Sequence, residues 1–214
     1  RTSVYEFGLR VPLIVRWPGQ ETGGRATRKL ASTLDIFPTV LEVAGIDGPA
    51  GLEGRSLHPF AGESEPEEWR QYVFGQYGAG FPAGYFPQRS VRDDRYRLIV
   101  NLLQDRPNPT AARYTNPEHS GWSGADTEPG VLEPADPAIQ QVYARYHNPP
   151  PVELYDHEND PNEFVNVVDD PEYAEAKKRL LKALNAWRER TKDPFLDPRT
   201  LARFTSEIDE LIAK

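Results

Sequence analysis

Neither cysteine nor methionine occurs anywhere in the 214 residues. Without cysteine there is no disulfide framework, no thiolate nucleophile and no thiolate metal site. Without methionine there is no translation start, so the sequence reads as part of a longer chain. No apolar run approaches the roughly 20 residues of a membrane-spanning helix, and the first residues lack the short apolar core of a signal peptide. A basic excess is missing too. The net charge is -8 and the pI near 5.1, which argues against broad nucleic-acid binding, because phosphates are met by a basic face. The signatures H-E-x-x-H, G-x-S-x-G and G-x-x-x-x-G-K are also absent. The four histidines, His58, His119, His147 and His157, have no metal-ligand spacing, and each alone reads as a surface or turn residue.

What is present is a globular composition, 38% hydrophobic and 27% charged, laced with 21 prolines. With a mean hydropathy of -0.66, this predicts long irregular connections on the surface. The length suits one domain with an appendage. Charge is uneven: within residues 1–30, Arg1, Arg10, Arg16, Arg25, Arg28 and Lys29 face only Glu6 and Glu21, six against two, a local excess of +4. Such an excess cradles an anion or forms a solvated basic surface, and the sequence leaves both open.

"RVPLIVRWPG" is short, apolar and β-branched, and reads as a buried strand ended by the turn at Pro18-Gly19. "STLDIFPTVLEVAGI" reads as a helix with Asp35 as cap, Pro38 in the first turn and Gly45 as stop. The following glycine-, proline- and acid-rich stretch places a boundary near residue 62, giving units 1–62 and 63–214. In the second unit "QYVFGQY", "QRSVRDD" and "YRLIVNL" have strand character, the last two joined at Asp93-Asp94 by hairpin spacing, and "PVELYD" adds another strand. The expectation is an antiparallel sheet. Residues 104–151 are too long for an ordinary connection and should cover something, with a short helix around "DPAIQQVYARY". "DDPEYAEAKKRLLKALNAWRERTKD" is the clearest helix: Asp170 caps it, Pro171 opens it, and Leu180, Leu184 and Trp187 share a face that should pack on the sheet. "PRTLARFTSEIDELIAK" reads as a final amphipathic helix.

Two constellations invite chemistry. "ELYDHENDPNEFVNVVDDPEY" carries eight acids, with Asp156, Glu158 and Asp160 at alternate positions as in a calcium loop. The sixth place, however, holds Pro161 where glycine makes the turn, and the twelfth holds Val167 where a bidentate glutamate is needed. Side-chain-capped turns after a strand explain the run better. The glycine loop "FGQYGAGFPAGYFPQR" bears Tyr77, Phe81, Tyr85 and Phe86. These rings either stack on a sugar in a substrate cleft or plug a local hydrophobic hole.

Taken in order, "RTSVYEFGLRVPLIVRWPG", "STLDIFPTVLEVAGI", "LEGRSLHPFAGE", "RSVRDDRYRLIVNL" and "ELYDHENDPNEFVNV" resemble the C-terminal part of the sulfatase family. Within it they are most similar to the heparan N-sulfatase (sulfamidase) branch. The chain departs from the commoner "YEGG" in carrying Phe7. The resemblance implies an α/β fold: the end of an alkaline-phosphatase-like α/β domain, then a small antiparallel sheet packed by a C-terminal helix. It implies a parent enzyme that hydrolyses a sulfate ester or sulfamate, plausibly on a carbohydrate. Its formylglycine nucleophile and calcium ion would be held by residues upstream, with no metal site in this chain. By the same resemblance Arg1 stands where the family places a sulfate-contacting base ahead of "YE-x-G-x-RVP", the partner is the missing N-terminal half of the same protein, and the location is extracytoplasmic. A phosphodiesterase or phosphoryl transferase of the same superfamily, and a non-catalytic glycan- or partner-binding module, are the alternatives.

Overall fold

The computed structural model describes residues 3–19, 24–62, 64–79, 82–111 and 134–214. These divide into two compact units, one formed by the described residues of Arg1–Arg10 with Phe74–Lys214, the other by Val11–Val73. The first residues therefore group with the later part of the chain, and the second division falls at residue 73, against the 62 expected from composition.

In the larger unit, β1 (Val73–Tyr77), β2 (Gln88–Arg92), β3 (Tyr96–Asn101) and β4 (Val152–Asp156) form one sheet in that order. β3 is antiparallel to both β2 and β4, with Leu98 opposite Val91 on one side and Leu154 on the other. The β2–β3 hairpin turns on Asp93, whose carboxylate accepts the N–H groups of Arg95 and Tyr96. This is the side-chain mimicry of a backbone turn that suits aspartate to the position. Its other oxygen accepts from Arg179 at 2.7 Å.

Side chains alternate along a strand, so the register fixes two faces. Val91, Leu98 and Leu154 share the first with Arg89 and Tyr96; Ser90, Arg97, Ile99, Asn101, Glu153 and Tyr155 share the second. The first face carries the C-terminal helix expected from sequence. Asp170 caps an opening turn, Pro171–Tyr173, which runs into the helix Ala174–Arg190. This helix packs on β2 and β3. Leu180 and Leu184 are fully buried, Trp187 stacks on Phe74 with ring centroids 5.0 Å apart, and Tyr173 meets Tyr96 edge-on. Leu184→Ala in the intact protein is expected to cost about 2–5 kcal/mol in a urea melt, the range for deleting a buried leucine and leaving part of its cavity. A midpoint that does not move would mean this face is not core. Just beyond the helix Asp193 pairs with Arg89, and the last helix, Pro198–Ile212, is capped by Asp197.

In the unit Val11–Val73, Ser32 and Asp35 form a reciprocal capping box around the turn Thr33–Asp35, which leads into the helix Ile36–Val43. Asp35 stands at the N-cap of this helix, as expected, but its side chain makes no capping bond to it and serves as a buried hub. It accepts the N–H groups of Ser32 and Arg55 and pairs with Arg70. Gly45 ends the helix as expected, at φ 68°, where a side chain would be strained. The expected buried strand over residues 11–17 is corrected by the structure. No strand forms there, and Val11, Leu13, Ile14 and Val15 are exposed, Ile14 at 93%. β-branched residues favour extended backbone, but a strand exists only when neighbouring backbone answers its N–H and C=O groups. No described residue does so here. No helix among the described residues is long and apolar enough to cross a membrane.

Candidate functional site

The second face of the sheet is polar yet buried. Gln88, Ser90, Arg97, Asn101 and Glu153 all lie in the interior beside Ile99 and Tyr155. Two elements cover them. One is the N-terminal strap Val4–Glu6, which runs into a single helical turn, α1 (Glu6–Leu9). The other is the helix Pro137–His147, capped by Asp136, which is the helix expected inside the long excursion. Val4 is packed against Ile99 and Tyr155, with Tyr5 and Tyr77 alongside. At Gly8 the chain turns so tightly that a Cβ would strike the Ser3 carbonyl oxygen and lie 2.8 Å from its hydroxyl, so the glycine of "YE-x-G" is a steric requirement.

Two hydrogen-bonded clusters hold the strap. In the first, the fully buried Glu153 carboxylate accepts from the Tyr5 hydroxyl at 2.9 and 2.8 Å, from Asn101 Nδ2 at 2.8 Å and from the Tyr155 hydroxyl. Arg145 of the covering helix brings its Nε to 3.8 Å from the carboxylate and lies over the Tyr155 ring, while Tyr146 meets Tyr5 edge-on. Burial pushes the Glu153 carboxyl above its ordinary value, although the three side-chain donors oppose the rise. Burial and then the Glu153 charge push the Tyr5 phenol up, so Tyr5 remains a hydrogen-bond donor throughout the working pH range.

In the second cluster the Glu6 carboxylate accepts from Arg92 at 2.7 and 2.9 Å and from Arg97 at 2.5 Å, and the Glu6 N–H donates to Glu163 at 2.8 Å. Arg97 also donates to the Val4 carbonyl at 3.0 Å and places its Nε 2.9 Å from Glu163. Burial alone would raise the Glu6 carboxyl; Arg97 and Arg92 outweigh it and hold the group below its ordinary value. His157 Nε2 lies 2.8 Å from Glu163, and its Nδ1 meets no partner among the described residues.

Glu6, His157 and Glu163 bring ligand atoms within 4.8 Å of one another. The residues do not fit a calcium ion. Calcium takes six to eight oxygen ligands, and here the two carboxylates are already neutralised by two arginines whose charges would face the ion. The acidic run that invited a calcium loop is taken up by turns and ion pairs: Asp156 accepts a bidentate pair of bonds from Arg95, and Asp160 caps the Val165 N–H.

Of the residues singled out in the sequence, Arg1 and Phe81 lie outside the described residues. Tyr77 is partly buried against the Val4 cluster. Tyr85 and Phe86 are buried with Leu103 against Phe195, Leu201 and Ile208, so these two rings plug a core and their faces are closed to a sugar. Sequence reasoning misses Glu153, Glu163, Arg97 and His157. A signal for Arg97 and Glu153 exists in the alternating polar rows Arg97-x-x-x-Asn101 and Glu153-x-Tyr155 within apolar strands; nothing in the sequence marks Glu163 or His157.

The fold is that of the sulfatases: a solved 2-O GAG sulfatase superposes with a TM-score of 0.55 at 23% identity, covering 82% of this chain and 30% of that one. Residues 1–107 match the family described as N-sulphoglucosamine sulphohydrolase, C-terminal, and the chain belongs to that family. It is 31% identical over 92% of its length to the N-sulphoglucosamine sulphohydrolase of Homo sapiens, covering 40% of that protein. To an ulvan-active sulfatase of Formosa agariphila it is 29% identical over 86% of its length, covering 34% of that protein. The chain thus spans about a third to two fifths of the length of these two relatives.

Proposed function

We propose that this chain is the C-terminal portion of a sulfatase that hydrolyses a sulfate ester or sulfamate on a carbohydrate. The observation that carries the reading is the membership of the sulphohydrolase family together with the buried anchoring of the "YE-x-G" strap, which follows Arg1 closely in the chain. In such a hydrolysis an oxygen derived from water becomes bonded to sulfur, the S–O or S–N bond breaks, and the leaving oxygen or nitrogen takes up a proton. Negative charge on the non-bridging sulfuryl oxygens must be held by donors already in place. Arg1 is suited to this role, since its guanidinium is charged at any working pH and offers two parallel N–H bonds to a tetrahedral anion. The nucleophile and the metal ion that the resemblance implies would be supplied by residues upstream of Arg1.

The test is sulfate release by the intact protein from N-sulfated and O-sulfated glucosamine. Release from either supports the reading; turnover confined to phosphate diesters or phosphonates overturns it. The 214-residue chain assayed alone is expected to release no sulfate from an aryl sulfate, because one arginine cannot supply the about 8–23 kcal/mol by which enzymes lower a barrier. Measurable turnover by the chain alone would place the nucleophile within it.

A further inference from the structure

We infer that the unit Val11–Val73 carries one side of a shared core, and that the part of the same polypeptide lying outside these 214 residues covers it, taking residues 13–17 as an interior strand of its own sheet. The inference rests on the reading of this chain as the C-terminal portion of a longer protein, and not on the reaction that protein performs. Among the described residues of this unit two apolar side chains are buried, Leu57 and Ala61, while eleven large ones are exposed. A unit that folded for itself would invert that ratio, since burial of apolar surface is what offsets the entropy of ordering the chain. The helix Ile36–Val43 is turned the same way. Its one buried side chain is Thr39, whose hydroxyl donates to the Asp35 carbonyl and accepts the Leu57 N–H. Ile36, Val40 and Val43, at the spacing i, i+4, i+7, form an apolar stripe with Phe37 at its margin, and all four are exposed.

The run before the helix fixes what covers it. Val11, Leu13 and Val15 are 40, 45 and 44% exposed and Ile14 is 93% exposed. Side chains alternate along a strand, so this run, once paired, presents Leu13 and Val15 to one face of a sheet and Ile14 to the other. A strand apolar on both faces belongs inside a sheet that is covered on both sides, the pattern of parallel sheets, where a helix follows the strand. Run, Pro18-Gly19 turn and helix stand in that order here. Pro12 has no N–H for a ladder and is tolerated at the first residue of a strand, so pairing runs from Leu13 to Trp17. A second copy related by a twofold axis would set the run antiparallel to itself. Antiparallel sheets that keep one face in water alternate apolar with polar residues, and this run does not. The rest of the polypeptide can supply parallel neighbours on both edges, and the matched regions are only 40% and 34% of the two relatives, so most of each relative lies outside them. The joint is of the obligate kind, a core divided between two parts of one chain.

The experiment is amide hydrogen–deuterium exchange of the intact protein, read by mass spectrometry on peptides covering residues 13–17. These amides are expected to exchange at least about a hundredfold more slowly than in an unstructured peptide, and to do so equally over a roughly hundredfold dilution of the protein. Ile14→Ala and, separately, Val40→Ala are expected to speed that exchange about tenfold or more, because each opens a cavity in the shared core. Truncating a side chain that stays in solvent would change it by about twofold at most. Should either variant fail to fold, the wild-type rates still decide. Rates near those of an unstructured peptide, or truncations without effect, overturn the inference. Protection that vanishes on dilution assigns the surface to a second copy and overturns it as well. Since no readout involves sulfate release, slow and dilution-independent exchange in a protein that releases no sulfate supports the inference and removes only the proposed reaction.

Discussion

Replacing Arg1 by alanine in the intact protein should lower kcat by about two to three orders of magnitude, the usual loss on deleting one preorganised donor to developing oxyanion charge. Lysine at the same position should retain part of the rate. It keeps the charge but offers a point ammonium in place of a planar fork, and so loses the two parallel bonds to one tetrahedral anion. The order arginine, lysine, alanine in kcat/KM, with thermal melts superimposed, is the signature of a charge-and-geometry role. Equal losses for lysine and alanine would point to packing, and unchanged kinetics for alanine would leave the local excess of basic residues near the N-terminus as a solvated surface.

The second large effect is expected at Asp193. Its carboxylate accepts two bonds from Arg89 at 2.8 Å each and one from Arg188 at 2.7 Å, all three side chains being buried. It also accepts the Phe195 N–H at 3.1 Å. Asp193→Asn leaves two buried guanidinium groups without a counter-charge, a change that typically costs about 3–5 kcal/mol. The effect carries a pH signature. Burial alone would raise the Asp193 carboxyl, but the bonds from Arg89, Arg188 and the Phe195 N–H win and hold it at about 2, below its ordinary 3.8. A depressed carboxyl contributes stability in full above its unfolded value and loses it as pH falls toward the folded one. The gap between wild type and Asp193→Asn in urea melts should therefore be widest at neutral pH and narrow as pH drops from 3.8 toward about 2. A gap that is constant across that window would mean the aspartate acts by shape alone.

Much of the larger unit was legible because its signals are local. "QRSVR", "YRLIV" and "VELYD" carry strand propensity between turn residues, and Asp93 marks their hairpin. Asp170-Pro171 and the spacing of Leu180, Leu184 and Trp187 specify a helix and the face it buries. What stayed hidden depends on contacts distant in sequence. Glu153 and Asn101 lie 52 positions apart and Tyr5 and Glu153 148 apart. An alternating polar row on a strand reads as a solvent face until a strap and a helix are seen to lie over it. The run at residues 11–17 misled in the opposite sense: its residues have the intrinsic bias of a strand, and the decisive factor, a hydrogen-bonding neighbour, is not a property of the run itself. The aromatic loop held two meanings because a ring against glycine and proline can face either way; for Tyr85 and Phe86 the deciding partners, Phe195, Leu201 and Ile208, arrive more than a hundred residues later.

The anchoring of Val4, Tyr5 and Glu6 has a consequence for motion. A segment with little regular secondary structure of its own ordinarily opens easily, and its amide protons exchange with solvent deuterium almost as fast as those of an unfolded peptide. Here the Glu6 amide is bonded to a buried carboxylate, and freeing it means uncovering the buried Arg97 of β3 and Glu153 of β4. The strap is therefore expected to open together with β3 and β4, and deuterium exchange at the Glu6 amide should be as slow as in those strands.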